Sequence, residues 1–427
     1  MQHNSRTEKA PANRLNSDFW KYWMGQTISN LGSSVTLFAL PLLVYKLTGS
    51  AINLGISGAA NFLPYLLFGL ILGAWTDRVD RKRMMIFTDI ARAVIVATIP
   101  PLAFLGILPV WWIYVVGFVH STLTICFESG EFAAIPSLVK QDDLVTANGR
   151  IQASYAAAQI AGPLLAGLLV AVVALPSLML IDALSFLVSS FSLTLIRGSF
   201  NVKTGEPRVR TSIRTDVVEG LRYVLGHPVL RNISIMMAMV NFVSNASNTQ
   251  LVLFAKVRLA ASDFQVSLLF SAASLGVVLM GLLAGPLRKH WSFSTVALGA
   301  LMLEGLLGVA FSLMRIYWIA AILWLFAGGL GILFNINTGS LRQAIVPNHM
   351  LGRVISIASV LAWSAIPLGS LLGGFVISWT NNVALVFTIT GALTFLIPFC
   401  FSFTALGHAD RYIPKKEKEP VSDYVPT

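Results

Sequence analysis

The chain has 427 residues, of which 56% are hydrophobic and 11% charged, with a mean hydropathy of +0.74. A soluble protein carries about 25% charged residues, so most of this one needs lipid as its solvent. The formal net charge of +11 does not point to nucleic acid, because the cations sit in loops between apolar stretches instead of along one face.

The first 18 residues are polar and lack the apolar core of a cleavable signal, so the first span is expected to act as its own targeting signal. Windows of about 20 apolar residues, enough to cross a bilayer, fall at 20–45, 51–75, 85–107, 110–138, 151–174 and 177–197. After a polar stretch they resume at 231–255, 264–287, 292–314, 317–346, 354–379 and 383–406. The expectation is an all-α integral membrane protein of twelve transmembrane helices in two six-helix bundles, 20–197 and 231–406. A terminal segment at 1–19, a linker at 198–230 and a tail at 407–427 complete it. With this layout 25 of the 30 lysines and arginines fall on the face that holds both termini, which reads as cytoplasmic. Within the linker, Ile213, Val217, Leu221, Val224 and Leu225 recur at helical spacing, predicting an amphipathic helix against the inner membrane surface.

Two features suggest that the halves are repeats. Gln26, Asn30 and Ser33 share one helix face, and Asn241, Asn245 and Asn248 repeat that spacing 215 positions later. Gly69-Leu70-Ile71-Leu72-Gly73 returns as Gly281-Leu282-Leu283-Ala284-Gly285, each before a basic turn. Parallel repeats joined by a linker suit rocking about a site near the bilayer midplane.

Charges inside spans are costly and should face protein or water. These are Asp89, Arg92, Glu128, Glu131, Asp182 and Glu304. Asp89 and Arg92 stand three apart on the third span, as a pair would. Glu128 and Glu131 stand three apart on the fourth, where two carboxyls on one face make a candidate proton site, with a cation-binding or structural role as the alternative. His120 could join a relay but reads more simply as a packed residue. Neutral polar groups on other spans outline a candidate substrate cavity: Gln26, Asn30, Asn241, Asn245, Asn248, Trp324, Asn335 and Asn337, with Phe334 as an apolar wall. Such a lining suits bulky, partly apolar compounds, although asparagine serves equally well to join helices. Cys126 and Cys400 read as buried hydrophobes without metal-ligand spacing, and neither a metal nor a cofactor is expected.

The most informative segment is Gly73-Ala74-Trp75-Thr76-Asp77-Arg78-Val79-Asp80-Arg81-Lys82-Arg83, a charged turn between two apolar stretches. It resembles the signature loop of the major facilitator superfamily. Leu47-Thr48-Gly49-Ser50, Ile135-Pro136-Ser137-Leu138-Val139, Ala147-Asn148, Gln343, Val346-Pro347 and Gly352-Arg353-Val354 resemble the branch containing macrolide efflux pumps and the enterobactin exporter. The resemblance covers nearly the whole chain. It implies the major facilitator fold and an inner-face latch formed by Gly73, Asp77, Arg78, Arg81, Lys82 and Arg83, with the start of the eleventh span near Arg353 as the available partner. Gly149, Ala158, Gly162, Pro163, Ala166 and Gly167 are similar to the superfamily's antiporter motif, with alanine for glycine at two places, and ordinary small-residue packing is the alternative. Gly369, Gly373 and Gly374 beside Pro367 form a looser counterpart. The chain departs from the branch at Glu128-Ser129-Gly130-Glu131, where a polar-Pro-Ala-Arg run is common, and its fourth span lacks the embedded arginine of many drug/proton antiporters.

The expected function is secondary active export of amphipathic small molecules such as macrolides, other drugs or siderophores, by alternating access in exchange for protons. The alternative is an exporter or flippase of one native metabolite or lysolipid. A monomer in the cell membrane is expected. An enzyme or ATP-driven pump is disfavoured, since the sequence has no nucleophile–base pairing and no nucleotide-binding loop.

Overall fold

The computed structural model describes residues 15–76, 79–140, 143–198, 200 and 213–412. Asp77, Arg78 and the tail beyond Tyr412 lie outside the described residues, as do the side chains of Gly73 and Arg353. Among the described residues the chain forms helices and no strand. The first half comprises α1 (Ser17–Thr48), α2 (Ala51–Thr76), α3 (Arg81–Ala97), α4 (Ile99–Phe104), α5 (Val110–Leu138), α6 (Leu144–Leu169) and α7 (Leu178–Thr194). After α8 (Ile213–Gly226) come α9 (Pro228–Asn248), α10 (Leu251–Val257), α11 (Asp263–His290), α12 (Phe293–Leu313), α13 (Tyr317–Ile345), α14 (Asn348–Trp363), α15 (Ile366–Thr380) and α16 (Val383–Ser402).

Local chemistry explains the breaks. Asn16 caps α1, and Gly49 ends it in the left-handed region at φ 58° with its N–H on Tyr45 O at 2.7 Å. Asp80 caps α3 by accepting from the Arg83 N–H. Ser262 and Gln265 form a reciprocal capping box at α11. The third expected span is two helices because Pro100 and Pro101 interrupt the ladder after Thr98. The eleventh divides likewise ahead of Pro367. The seventh divides at Thr249-Gln250, where Gln250 is fully buried and its Nε2 donates to Ala51 O at 3.0 Å. Span five starts at Leu144 and ends at Leu169, shifted toward its polar end from the expected 151–174, because hydrogen-bonded turns carry the helix on through residues too polar to register as membrane. The twelfth span ends at Ser402, and Ala405–Tyr412 folds back as a 3₁₀ turn. There Asp410 meets Arg288 at 3.2 Å and accepts the Phe293 N–H at 2.9 Å.

Among the described residues, ten helical segments are long and apolar enough to cross a membrane. Of the twelve expected, those of α6 and of α9 with α10 are not among them. Both are rich in small and polar residues and pack against neighbouring helices, α6 between α1 and α11 and α9 against α15 and α16. Side chains that meet protein need not be apolar, so hydropathy underrates such helices. The amphipathic α8 turns part of its apolar face to protein: Val224 and half-buried Leu221 join Val354 and Ile357 of α14 in one cluster, while Leu225 is exposed.

The halves meet through α2 against α15 and α6 against α11. Close approach demands glycine at these seams. A Cβ on Gly374 would lie 2.5 Å from Ala51 O, and one on Gly55 would lie 2.6 Å from Ser370 O. Polar contacts join the halves at the end of α1 and along α6. Lys46 pairs with Asp263, which also meets Lys256 at 2.5 Å, and Ser271 donates to Ile160 O at 3.0 Å. Gly373 faces α9, where a Cβ would stand 2.0 Å from Ala246 O. Gly373→Val is therefore expected to lose about 1–3 kcal/mol of stability by forcing backbones apart, read as a lower unfolding temperature of the purified protein. Gly299→Ala, with no atom within 4 Å of its Cβ, should leave that temperature unchanged.

Candidate functional site

Between the halves lies a cavity of about 540 Å³, within the range that holds small organic ligands. Helix α1 contributes Asn30 and Ser33, and α9 contributes Asn245 and Asn248. Gln26 and Asn241, the first members of the two repeated triplets, do not line it. Gln26 Nε2 donates to Ser189 Oγ at 2.7 Å, and Asn241 Nδ2 donates to Ala362 O at 2.9 Å. Each triplet thus starts with a residue tied into its own half and continues with residues on the cavity. A helix face is wide enough for both, and spacing alone does not tell them apart.

Asn335 and Asn337 of α13 also lie away from this cavity. Asn335 is exposed, and Asn337 is buried with its amide donating to Leu333 O at 2.6 Å, one turn back on its own helix. Phe334 packs in an apolar cluster of the second half. Trp324 lines a second, smaller cavity together with Glu304.

The two carboxyls of α5 occupy different surroundings. Glu128 opens on the main cavity, 3.4 Å from the Tyr65 hydroxyl. Glu131, one turn further, accepts a hydrogen bond from buried Tyr22 of α1. His120 also lines the cavity, its ring 5.6 Å from that of Phe186 and its Nε2 without a partner. Behind them Arg92 is ion-paired with Asp89, both buried. The guanidinium lies 4.5 Å from the Phe127 ring centroid and 4.4 Å from that of Phe186. Asp89 also accepts from Ser189 at 2.7 Å, so a chain of polar contacts runs from Gln26 through Ser189 to Asp89 and Arg92. Asp182 is fully buried and accepts from Ser33 at 3.2 Å, linking α7 to a cavity-lining residue.

The small residues of α6 face two ways. Ala158 and Ala166 are buried, and a Cβ on Gly162 would stand 2.4 Å from the Ser34 Cβ of α1. One on Gly167 would stand 1.9 Å from Ser267 Oγ of α11, across the seam between halves. Pro163, also buried, sits between these two contacts. Gly149 has open space around it. In the basic turn, Lys82 Nζ donates to Ile196 O at 2.5 Å and Arg81 to Phe200 O at 3.2 Å, gathering carbonyls just past α7. Arg83 is exposed and lies 3.8 Å from Asp80.

Sequence reading passed over Tyr22, Tyr65, Tyr155 and Gln159. Tyr22 stands one turn before Gln26, and Tyr155 and Gln159 are a turn apart on α6, both on the cavity. Their i, i+4 spacing was the available signal. Nothing in local sequence signals that Lys46 and Asp263, 217 positions apart, meet.

This arrangement, two helical halves closing on a central polar-lined cavity, is the fold of the major facilitator transporters. The nucleoside transporter NupG superposes with a TM-score of 0.75 at 12% identity, covering 90% of this chain and 99% of that one. A bacterial homolog of the human lysosomal transporter Spinster, inward-facing and unoccupied, gives 0.70 at 14% identity over 94% and 98%. Residues 10–423 match the family described as Transmembrane secretion effector, and the chain belongs to that family. Macrolide efflux protein A of Streptococcus pyogenes is 26% identical over 360 residues, covering 83% of this chain and 88% of its own. Multidrug efflux pump Tap of Mycolicibacterium fortuitum is 27% identical over 359 residues, covering 80% and 85%.

Proposed function

We propose that this multi-pass membrane protein exports amphipathic small molecules across the cell membrane by alternating access, in exchange for protons. The observation that carries the reading is the 540 Å³ cavity between the halves, with mixed amide, hydroxyl and aromatic walls and the Glu128 carboxyl opening on it. A carboxyl reached from the cavity can take up and release a proton as access changes. Glu131, held by Tyr22, positions the neighbouring turn of α5, and the Asp89–Arg92 pair supports it from behind. The relatives named for macrolide and multidrug efflux favour export of bulky, partly apolar cargo.

In this reading α6 and the α9–α10 pair complete twelve spans, arranged as bundles at 20–197 and 231–406, and the protein works as a monomer. The bias of cations toward the segments on the side of both termini supports a cytoplasmic position for that side. The small residues of α6 at the seam, Ala158, Gly162, Pro163, Ala166 and Gly167, limit ion leakage by close packing. The loop around Gly73, Asp77, Arg78, Arg81, Lys82 and Arg83 latches the cytoplasmic side when that side closes.

Overexpression is expected to lower cellular accumulation of ethidium and erythromycin several-fold, and a protonophore should abolish the difference. Accumulation that is unchanged by overexpression, together with transport of one lysolipid alone in proteoliposomes, would overturn broad export in favour of a dedicated carrier.

A further inference from the structure

The second half holds a cavity of its own, about 240 Å³, enclosed by α9, α12, α13 and α16 with a wall from α11. Glu304 of α12 lies in it. Its Oε2 is buried without a hydrogen-bond partner, and no lysine, arginine or histidine is among the residues that line the space. The Trp324 indole N–H in the same cavity is likewise unpartnered. Two of the four hydroxyls that share the space point their protons elsewhere. Ser247 donates to Ser244 O at 3.0 Å and Thr390 to Phe387 O at 3.1 Å, so both present lone pairs to the cavity. Glycine and alanine positions along the wall keep the space open, and Phe387 and Trp324 form its aromatic side, their ring centroids 6.3 Å apart. Asn248 lines this cavity and the main one alike, so the two spaces lie on either side of one residue.

We infer that this side cavity is a subsite for the protonated amine of an amphipathic substrate, with Glu304 as counter-charge, Trp324 and Phe387 as the cation–π wall, and the apolar body of the substrate in the main cavity. The inference rests on the export reading above and names the substrate class within it. An unpaired carboxylate in a membrane interior calls for a cation. The acceptor-rich lining offers hydrogen bonds to N–H donors, and aromatic faces favour a diffuse organic cation. A hard metal ion fits less well, since it draws six or more oxygens tightly around itself, whereas this space is wide and half its walls are apolar.

The test compares dansylcadaverine, a fluorescent hydrophobe with a protonated amine at neutral pH, with its uncharged N-acetyl derivative. Binding to the full-length protein in nanodiscs is read from dansyl fluorescence, and export of both from proteoliposomes is followed in parallel. The wild type should bind the amine at least tenfold more tightly than the amide. Glu304→Gln should bring that ratio to near one while leaving amide binding in place, and Glu304→Asp should retain part of the preference. The ratio is internal to each preparation, so partial loss of folded variant does not change it. A ratio unchanged in Glu304→Gln, or a wild type that binds amine and amide equally, would overturn the subsite. Export of both probes at equal rates would do the same while leaving the export reading intact. Absence of export of either probe in the wild type, with the binding preference for the amine present and dependent on Glu304, would support the subsite and count against export.

Discussion

Replacing Arg92 with leucine is expected to cost roughly 3–5 kcal/mol of stability, the penalty for leaving a buried partner charge uncompensated. Asp89 is completely buried and its carboxylate faces the Arg92 guanidinium and Ser189, so removing the cation leaves it with only a hydroxyl. The guanidinium also fills the gap between Phe127 and Phe186, so its loss opens space between α3, α5 and α7. The variant should yield little folded protein and unfold at markedly lower temperature in detergent. Asp89→Asn combined with Arg92→Leu should recover most of the loss, because the double change removes both charges and leaves an amide that can still accept from Ser189. A double variant as unstable as the single one would show that the packing of the guanidinium, not its charge, dominates.

Glu128→Gln is expected to lower pH-gradient-driven export in proteoliposomes at least tenfold while leaving substrate counterflow, which needs no net proton movement, close to wild type. The carboxyl opens on the cavity beside Tyr65, and an amide of the same shape keeps the packing but cannot carry a proton. Glu131→Gln should act differently. The Tyr22 hydroxyl can still donate to the amide oxygen, so the hydrogen bond survives and gradient-driven export should fall less steeply. Equal coupling in wild type and Glu128→Gln would remove this carboxyl as the proton carrier. A loss confined to Glu131→Gln would move that role one turn along α5.

Much of the architecture was legible because a bilayer imposes it. Apolar windows of fixed length located ten membrane-compatible segments. The same windows ran across Pro100-Pro101 and Thr249-Gln250, where the helices divide. Spacing of three brought Asp89 to Arg92, since neighbours on a helix meet whatever the tertiary fold does. Spacing did less well with the polar faces. Asn30 and Asn248 reach the cavity, while Gln26, one turn away on the same stripe as Asn30, is turned into Ser189. Asn337 likewise spends its amide on its own helix. A polar stripe says that something other than lipid lies opposite, without saying whether that is water, substrate or another helix. The same limit applies to the apolar face of α8, where Leu221 and Val224 meet α14 while Leu225 is exposed.

Residue order alone tells that this chain lives in lipid, as long apolar helices with most of the cations in the stretches between them, because hydropathy and charge are summed along the chain and need no partner. Folding in three dimensions is what sets which of two neighbouring glutamates sees the cavity, that Lys46 meets Asp263, and that Glu304 lies beside Trp324 without a partner for its Oε2. Those facts depend on which helices become neighbours. Contacts between helices far apart in sequence are set by the close approach of small residues at the seams, where a single Cβ would hold the backbones apart.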